Sequence, residues 1–558
     1  MQRKPLQGAA LKYRPDIDGL RALAVIAVIL NHIQPSLLPS GYLGVDILFV
    51  ISGYVITGSL TSREGRSIGE QLLGFYGRRI KRLFPALITC ILVTSVLNCL
   101  FNPEPAESLQ TGIAALVGGS NLYLFDRATD YFASSTQLNV FTHTWSLGVE
   151  EQFYFFYPIF LWYALRPAPK NRRLLAAFLA ILCMAGVGLV LSKWITGSSF
   201  GLLPGGLATV GLLVPYALVA CAIPMAAHLK LWRSQRRNAI GLLAVFTALS
   251  LAFYLFAYDR NFPAAYFLMP ARLWELSAGC ILFLWLHKKA DFQPIRRMPS
   301  IALLLLLGTL FLPLSLGKQA TVLVVGLTVL LISSLQPGER TYKILTHPWA
   351  QKLGIISYSL YLWHWSVLSL SRWTIGVSPW TILPQLILML MLALVSFHWI
   401  EEPFRRTKKL PSQIQVLGSG LAAIARAILG LFSLKAQAQY LSLDRRFPTD
   451  FARRMEEGEK EFNTARIDHR VDPAKLTRSL TLDEHNRNLP RPRVYLIGDS
   501  HAEHYIDALR DLLPDRGLGS ATIGWRCGYI PPEDIGQLTR QWMVGCENYK
   551  TFIDGFIG

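Results

Sequence analysis

The chain has few charged residues. Only 16% of its 558 residues are Asp, Glu, Lys or Arg, whereas soluble globular proteins carry about 25%. Hydrophobic residues make up 52% of the sequence, and apolar runs of about 20 residues recur, each long enough to cross a bilayer. A wholly soluble globular protein is therefore excluded, and the composition predicts a polytopic α-helical membrane protein.

Acidic residues are scarce as well, and the cysteine spacings typical of metal sites do not occur. The chain has 55 basic against 36 acidic residues, a net charge of +19. The basic residues lie in short loops between apolar runs, as the positive-inside rule requires, so nucleic-acid binding is a poor explanation. No Cys-x-x-Cys spacing and no His/Cys cluster occurs, and we expect no structural metal. Cys527 and Cys546 could form a disulfide if their region is exported.

The alternation of basic loops predicts about thirteen crossings, within a range of eleven to thirteen, with the N-terminus inside and the C-terminus outside. The basic N-terminus indicates a retained signal anchor. The predicted spans are 19–36, 42–61, 84–101, 146–165, 173–193, 206–227, 239–257, 265–287, 300–316, 319–336, 354–372, 381–399 and 413–434. The apolar segment 108–125 is interrupted by Gly118, Gly119, Ser120 and Asn121, which predicts a re-entrant or interfacial segment.

The composition changes near residue 435, and this change sets the predicted domains. Residues 1–410 form a transmembrane domain, and 411–435 form a linking transmembrane helix. Residues 436–492 are predicted to form a solvated linker or the outer layer of a domain. In 493–558, a short apolar run, a Gly-Asp-Ser turn and a helical pattern predict the start of an extracytoplasmic α/β domain.

The first apolar stretch, residues 18–53, carries Arg21, His32 and Asp46. An ionisable group in hydrocarbon costs about 2.5–3.5 kcal/mol on insertion scales. Arg21 and His32 are eleven residues apart, which places them on one helix face about 16 Å apart. This spacing fits two residues that line one wall of a polar shaft through the membrane. The alternative is that Arg21 reaches the headgroups and His32 hydrogen-bonds in the opposite interface.

Seven stretches occur in a fixed order along residues 13–406. They are Arg21-x10-His32, GYLGVDILFVISGYVIT, RRIKRLFPA, THTWSLGVEEQFYFFYP, ARLWELSAG, ISYSLYLWHW and IEEPFRR. Together they resemble the membrane-bound acyltransferase-3 family, of the O-antigen or polysaccharide O-acetyltransferase type fused to an SGNH-hydrolase-like domain. The resemblance implies transfer of an acyl group, usually acetyl, from cytoplasmic acetyl-CoA to an envelope carbohydrate. It also implies a multi-pass protein of the bacterial inner membrane, with the C-terminal domain on the periplasmic side.

Two features depart from that family pattern. The spans at 173–193 and 206–227 look like an inserted hairpin. VYLIGDSHAEHY resembles the first SGNH block, but no Asp-x-x-His follows Ser500 in the remaining 58 residues. The hydrolase-like domain is therefore expected to be truncated.

The resemblance assigns roles to the intramembrane charges. His32 would be the general base or an acyl-relaying nucleophile; the alternative is a satisfied core histidine. Arg21, Arg79 and Arg82 would bind the phosphates of CoA, because guanidinium groups make bidentate bonds to phosphate. The alternative for Arg79 and Arg82 is positive-inside anchoring in the loop before the third helix.

Three further residues complete the predicted catalytic set. Asp46 would orient His32, as a triad acid does, or is an acid favoured by the helix dipole. Glu150 would bind sugar hydroxyls or pair with Arg21. Ser500 would be a nucleophile at a strand–helix turn, provided that a base lies nearby.

An aromatic and polar set would bind the carbohydrate: His143, Trp145, Glu275, Trp363 and His364. An interfacial aromatic belt explains the same tryptophans. The alternative function is a transporter or flippase for a lipid-linked glycan or acyl donor, against which the lack of an internal repeat argues. A non-catalytic remnant is a third reading.

Overall fold

A computed structural model gives the structure of the chain. It describes residues 13–62, 67–102, 104–128, 138–165, 235–287, 299–407, 412–441 and 443, with three short strands beyond them. The chain divides into two compact units, Met1–Arg445 and Arg446–Gly558.

The first unit is helical in the part that the structure describes. Its α-helices are α1 (Pro15–Ile33), α2 (Gly44–Thr61), α3 (Ile68–Phe101), α4 (Ala106–Leu116), α5 (Ser120–Ala128), α6 (Trp145–Leu165), α7 (Gln235–Arg260), α8 (Phe262–Phe267), α9 (Met269–Leu286), α10 (Pro299–Thr309), α11 (Gly317–Ser334), α12 (Arg340–Leu345), α13 (Pro348–Ile355), α14 (Ser357–Trp373), α15 (Pro379–Ser396), α16 (Glu402–Arg406) and α17 (Gln413–Leu441). Short 3-10 helices lie at Gly41–Leu43, Thr142–Thr144 and Leu314–Leu316, and Phe397–Glu401 forms a π-helical turn.

Seven helices of the described residues are long and apolar enough to cross a membrane, so this is a multi-pass membrane protein. They cover Gly41–Thr61, Gly69–Phe101, Ala239–Arg260, Phe262–Leu286, Leu314–Ser334, Pro379–Arg406 and Gln413–Ala438. The predicted hairpin at 173–193 and 206–227 lies outside the described residues. The count of eleven to thirteen spans therefore stays a prediction.

Helix α3 corrects the predicted third span. It begins at Ile68 instead of about residue 84, so the supposed basic loop is helical and continues through Pro85. Ser67 and Glu70 form a reciprocal capping box at its start, which satisfies two otherwise free backbone N–H groups. Arg and Lys are good helix formers. Arg79 and Arg82 thus lie three residues apart on one helix face, not in a loop.

Two other predicted segments have clear outcomes. The apolar segment at 108–125 is broken as predicted, because α4 ends at Leu116, α5 begins at Ser120, and Gly118 between them has φ of +71°. The span predicted at 300–316 is too long, since α10 ends at Thr309. Pro313 follows shortly and cannot donate a helical hydrogen bond.

Helices α2 and α9 pack so closely that their backbones are in contact. A Cβ built on Gly53 would lie 1.9 Å from the carbonyl oxygen of Leu276, and one built on Gly279 would lie 2.0 Å from that of Val50. Such reciprocal glycines let two membrane helices approach closely, because no side chain separates their backbones. This contact brings Asp46 of α2 next to α9.

The second unit contains a three-stranded sheet in its described residues. The strands are β1 (Thr481–Leu482), β2 (Val494–Gly498) and β3 (Leu518–Thr522), in the order β1-β3-β2. β2 and β3 are parallel, with Val494 opposite Leu518 and Gly498 opposite Thr522. β2 is the apolar run predicted as a strand. Ser500 lies outside the described residues, and the SGNH-like assignment stays a prediction.

Candidate functional site

A polar cavity lies among helices α1, α2, α3, α6 and α14. It is lined by Arg21, Val45, Leu48, Phe49, Ser52, Val55, Ile56, Arg79, Arg82, Leu83, Ser146, Leu147, Glu150, Tyr154, Ser357, Tyr358 and Tyr361. Four predicted residues, Arg21, Arg79, Arg82 and Glu150, therefore face one space although they come from three helices.

The three cavity arginines have different partners. Arg21 makes an ion pair with Asp18 at 3.3 Å. The Arg79 guanidinium lies 4.7 Å from the Tyr154 ring centroid, a cation–π contact. The Nε of Arg82 is buried without a hydrogen-bond partner among the described residues. Because an unpaired buried polar group is costly, this atom fits a site that receives an anionic ligand.

Glu150 is the one carboxylate on the cavity lining. It accepts a hydrogen bond from the Ser52 hydroxyl at 2.6 Å and one from the Tyr154 hydroxyl at 2.7 Å. Its predicted pairing with Arg21 is wrong, because Arg21 pairs with Asp18 on its own helix. Both Glu150 oxygens are held by hydroxyl donors, so the side chain is fixed in place.

Three histidines meet at the C-terminal end of α1. His32 Nδ1 lies 3.1 Å from His364 Nε2. The His143 ring centroid lies 5.8 Å from that of His364. The Trp365 ring packs edge-on against His32, with centroids 4.7 Å apart. The structure thus brings His32, the predicted general base, together with His143 and His364, both predicted to bind the carbohydrate.

Tyr361 connects the cavity to the histidines. It lines the cavity, and its hydroxyl donates to the carbonyl oxygen of His143 at 2.9 Å and lies 2.7 Å from the Ser146 hydroxyl. Its own carbonyl oxygen is 2.6 Å from His364 Nδ1. A single residue therefore contacts both parts of the candidate site.

Asp46 does not orient His32, and that prediction is wrong. Its carboxylate lies 3.0 Å from the Arg272 guanidinium, which is also 3.0 Å from Glu275. A buried carboxylate is retained where a cation compensates it, and the close α2–α9 contact supplies Arg272. The partner of His32 is His364 instead.

The remaining predicted residues lie elsewhere. Trp145 is buried against the Tyr266 ring, with centroids 4.6 Å apart. Glu275 is fully buried in the ion-pair cluster with Arg272. Trp363 belongs to a second apolar cluster formed with α3 and α17. None of these three lines the cavity, and their predicted carbohydrate contacts stay untested.

Sequence reasoning missed several residues of the site. Tyr361 lies three residues before His364 in a motif already singled out, and Arg272 lies three before Glu275. Both spacings place the pairs on one helix face, so the signal was present. Ser52 and Tyr154 carry no comparable signal, because an isolated Ser or Tyr in an apolar helix is common. No group in the described ranges could hold a metal ion through three His, Cys, Asp or Glu.

The helical unit thus combines a cavity lined by three arginines with a pair of histidines, and Tyr361 contacts both. An acyltransferase domain model of the acyltransferase-3 family matches residues 14–401. The chain belongs to this family.

Curated relatives agree with this assignment. The chain is 28% identical to the peptidoglycan O-acetyltransferase OatA of Listeria monocytogenes over 71% of its length and 56% of the relative's. It is also 28% identical to the putative peptidoglycan O-acetyltransferase YrhL of Bacillus subtilis and to the O-acetyltransferase OatA of Staphylococcus aureus, again over 71% of this chain and over 55% and 58% of theirs. The chain spans little more than half the length of these relatives. No solved structure matches it.

Proposed function

We propose that this protein transfers an acetyl group from acetyl-CoA to a hydroxyl of a cell-envelope carbohydrate. The observation that carries the proposal is the cavity in which Arg21, Arg79 and Arg82 converge and which Tyr361 joins to the His32–His364 pair. Three cations against one carboxylate suit the phosphates of CoA. The unpaired Nε of Arg82 supports an anion at this place.

His32 would act as the general base. It takes the proton from the acceptor hydroxyl as that oxygen attacks the thioester carbonyl. The new ester bond forms, the carbon–sulfur bond breaks, and the proton passes to the departing thiolate. Glu150, fixed by Ser52 and Tyr154, would set the polarity of the cavity wall next to the arginines.

The acceptor is proposed at the level of a class. The Listeria relative is named a peptidoglycan O-acetyltransferase, so a wall polysaccharide is the first acceptor to test, with O-antigen as the second. A position in the inner membrane with a cytoplasmic N-terminus would let the donor enter from inside and the acceptor bind outside.

Ester-linked acetate measures this function directly. A host lacking the gene would receive the intact gene, His32→Ala or Ser500→Ala, and alkali-released acetate would be measured in purified peptidoglycan and in lipopolysaccharide. We expect the intact protein to restore ester acetate in one fraction. His32→Ala should fail at equal membrane level, because a general base contributes about 10²–10⁴-fold. Unchanged acetate in every strain would contradict the proposal.

A further inference from the structure

The contact between His32 and His364 has the geometry of a hydrogen bond. The two ring planes differ by 2°. Their centroids are 5.3 Å apart and the facing nitrogens are 3.1 Å apart. The centroid distance exceeds the nitrogen distance by about one ring radius for each of the two rings. The rings therefore lie edge to edge, with Nδ1 of His32 pointing at Nε2 of His364, and are not stacked face to face.

The proton positions in this pair follow from its neighbour. His364 Nδ1 lies 2.6 Å from the carbonyl oxygen of Tyr361. A carbonyl can only accept, so Nδ1 must carry the hydrogen. A neutral imidazole has one N–H, which leaves His364 Nε2 as an acceptor. His32 must then donate from Nδ1, and its own lone pair lies on Nε2.

The surroundings favour a neutral His364. The ring is fully buried, and an uncompensated buried charge is costly. The titratable or charged groups that face the pair are His143, from the 3-10 turn, and Tyr361 and Arg372, from α14. Arg372 donates to the His32 carbonyl oxygen at 3.2 Å and is itself a cation. Among the residues that the structure describes, none of these facing groups is a carboxylate that would stabilise a charged His364.

We propose that His364 is a positioning residue that holds His32 in the tautomer whose Nδ1 is protonated and whose Nε2 is unprotonated. Its role in acyl transfer rests on the proposed function. The acceptor hydroxyl gives its proton to His32 Nε2, its oxygen bonds to the acetyl carbon, and the thiolate of CoA leaves and takes that proton. Throughout, the Nδ1–H of His32 stays bonded to His364, which does the work of a triad carboxylate without a charge.

Kinetics of the full chain in nanodiscs, with radiolabelled acetyl-CoA and isolated wall polysaccharide, test this role. His364→Phe keeps an aromatic ring but has no acceptor, and we expect kcat to fall about 10²-fold with KM for acetyl-CoA unchanged, because the wrong tautomer removes the base. His364→Gln, whose amide oxygen accepts a hydrogen bond, should recover part of kcat. The control His398→Phe changes an exposed histidine of the π-helical turn and should behave as the intact protein.

Nitrogen-15 NMR of ring-labelled histidine tests the tautomer without any activity. The resonances of His32 are identified by their loss in His32→Gln. We expect a protonated Nδ1 and a bare Nε2, and we expect a mixture of tautomers in His364→Phe. A bare Nδ1 in the intact protein would overturn the inference, as would full activity of His364→Phe. If the intact protein transfers no acetyl at all, the proposed function fails, and the NMR result still decides the tautomer.

Discussion

Two groups of charged residues in the helical unit, one buried and one partly exposed to a cavity, differ in their partners. In the closed cluster, defined by Arg272, Asp46 and Glu275, one guanidinium lies 3.0 Å from each of two carboxylates. Aromatic rings of Trp145, Tyr254 and Tyr266 enclose that guanidinium, with centroids 5.3–5.7 Å away. In the cavity, three arginines share the lining with one carboxylate, Glu150.

The difference distinguishes charged residues that pair with one another inside the fold from charged residues that line a cavity. In the closed cluster one guanidinium lies between two carboxylates, and an aromatic shell surrounds it. In the cavity the lining has an excess of positive charge, and Glu150 is engaged by hydroxyl donors. Intramembrane charges are expensive in both places. In the cavity, Arg82 keeps a buried Nε without a partner among the described residues, which an anionic ligand would satisfy.

The largest effect should come from opening the closed cluster. Arg272→Met leaves Asp46 and Glu275 buried without their cation, and breaking such a pair costs about 3–5 kcal/mol. We expect a loss of folded protein, measured as the monodisperse fraction and the thermal transition in detergent. Adding Asp46→Asn and Glu275→Gln should restore part of it. A single Arg272→Met variant as stable as the parent would contradict the closed-cluster assignment.

A smaller effect is expected for substitutions of the cavity arginines, and it should change activity and not folding. Arg79→Gln with Arg82→Gln should raise KM for acetyl-CoA about tenfold to a hundredfold, since each charged hydrogen bond contributes about 1.5–3 kcal/mol and water replaces part of it. The thermal transition should stay within a few degrees of the parent value.

Lys81→Gln is the matched control for the arginine pair. Lys81 lies on the same helix between the two arginines, but its ammonium donates to the Thr407 carbonyl at 3.1 Å and it does not line the cavity. An increase in KM as large as that of the arginine pair would mean that general positive charge, not the cavity, binds the donor.

The smallest effect is expected for Glu150→Gln. Ser52 and Tyr154 donate to different oxygens of Glu150, and glutamine replaces one of them with an NH2 group that cannot accept. Losing one hydrogen bond costs about 1 kcal/mol. We expect kcat to fall roughly fivefold and the fold to remain intact. A complete loss of transfer with normal folding would instead make Glu150 part of the chemistry.

Predictability from sequence differs between these two regions. Arg21, Arg79, Arg82 and Glu150 were all proposed from the sequence, and the structure brings them to one cavity. For Asp46 the sequence predicts either orientation of His32 or an acid favoured by the helix dipole. It lies in the first turn of α2 and pairs with Arg272, 226 residues away along the chain. The spacing of residues on one helix is visible in a sequence, whereas the partner across a helix–helix contact is not.

Sequence by itself determined the helical membrane character, the family motifs and the strand at 494–498, because hydrophobic length and local spacing depend on neighbouring residues. Tertiary structure alone decided that His364 contacts His32, that Asp46 belongs to a closed ion-pair cluster, and that α3 carries two cavity arginines on one face. These outcomes depend on which helices pack together. Packing is set by close backbone approaches such as that of Gly53 in α2 to Leu276 in α9, and a one-dimensional pattern does not specify the partner helix.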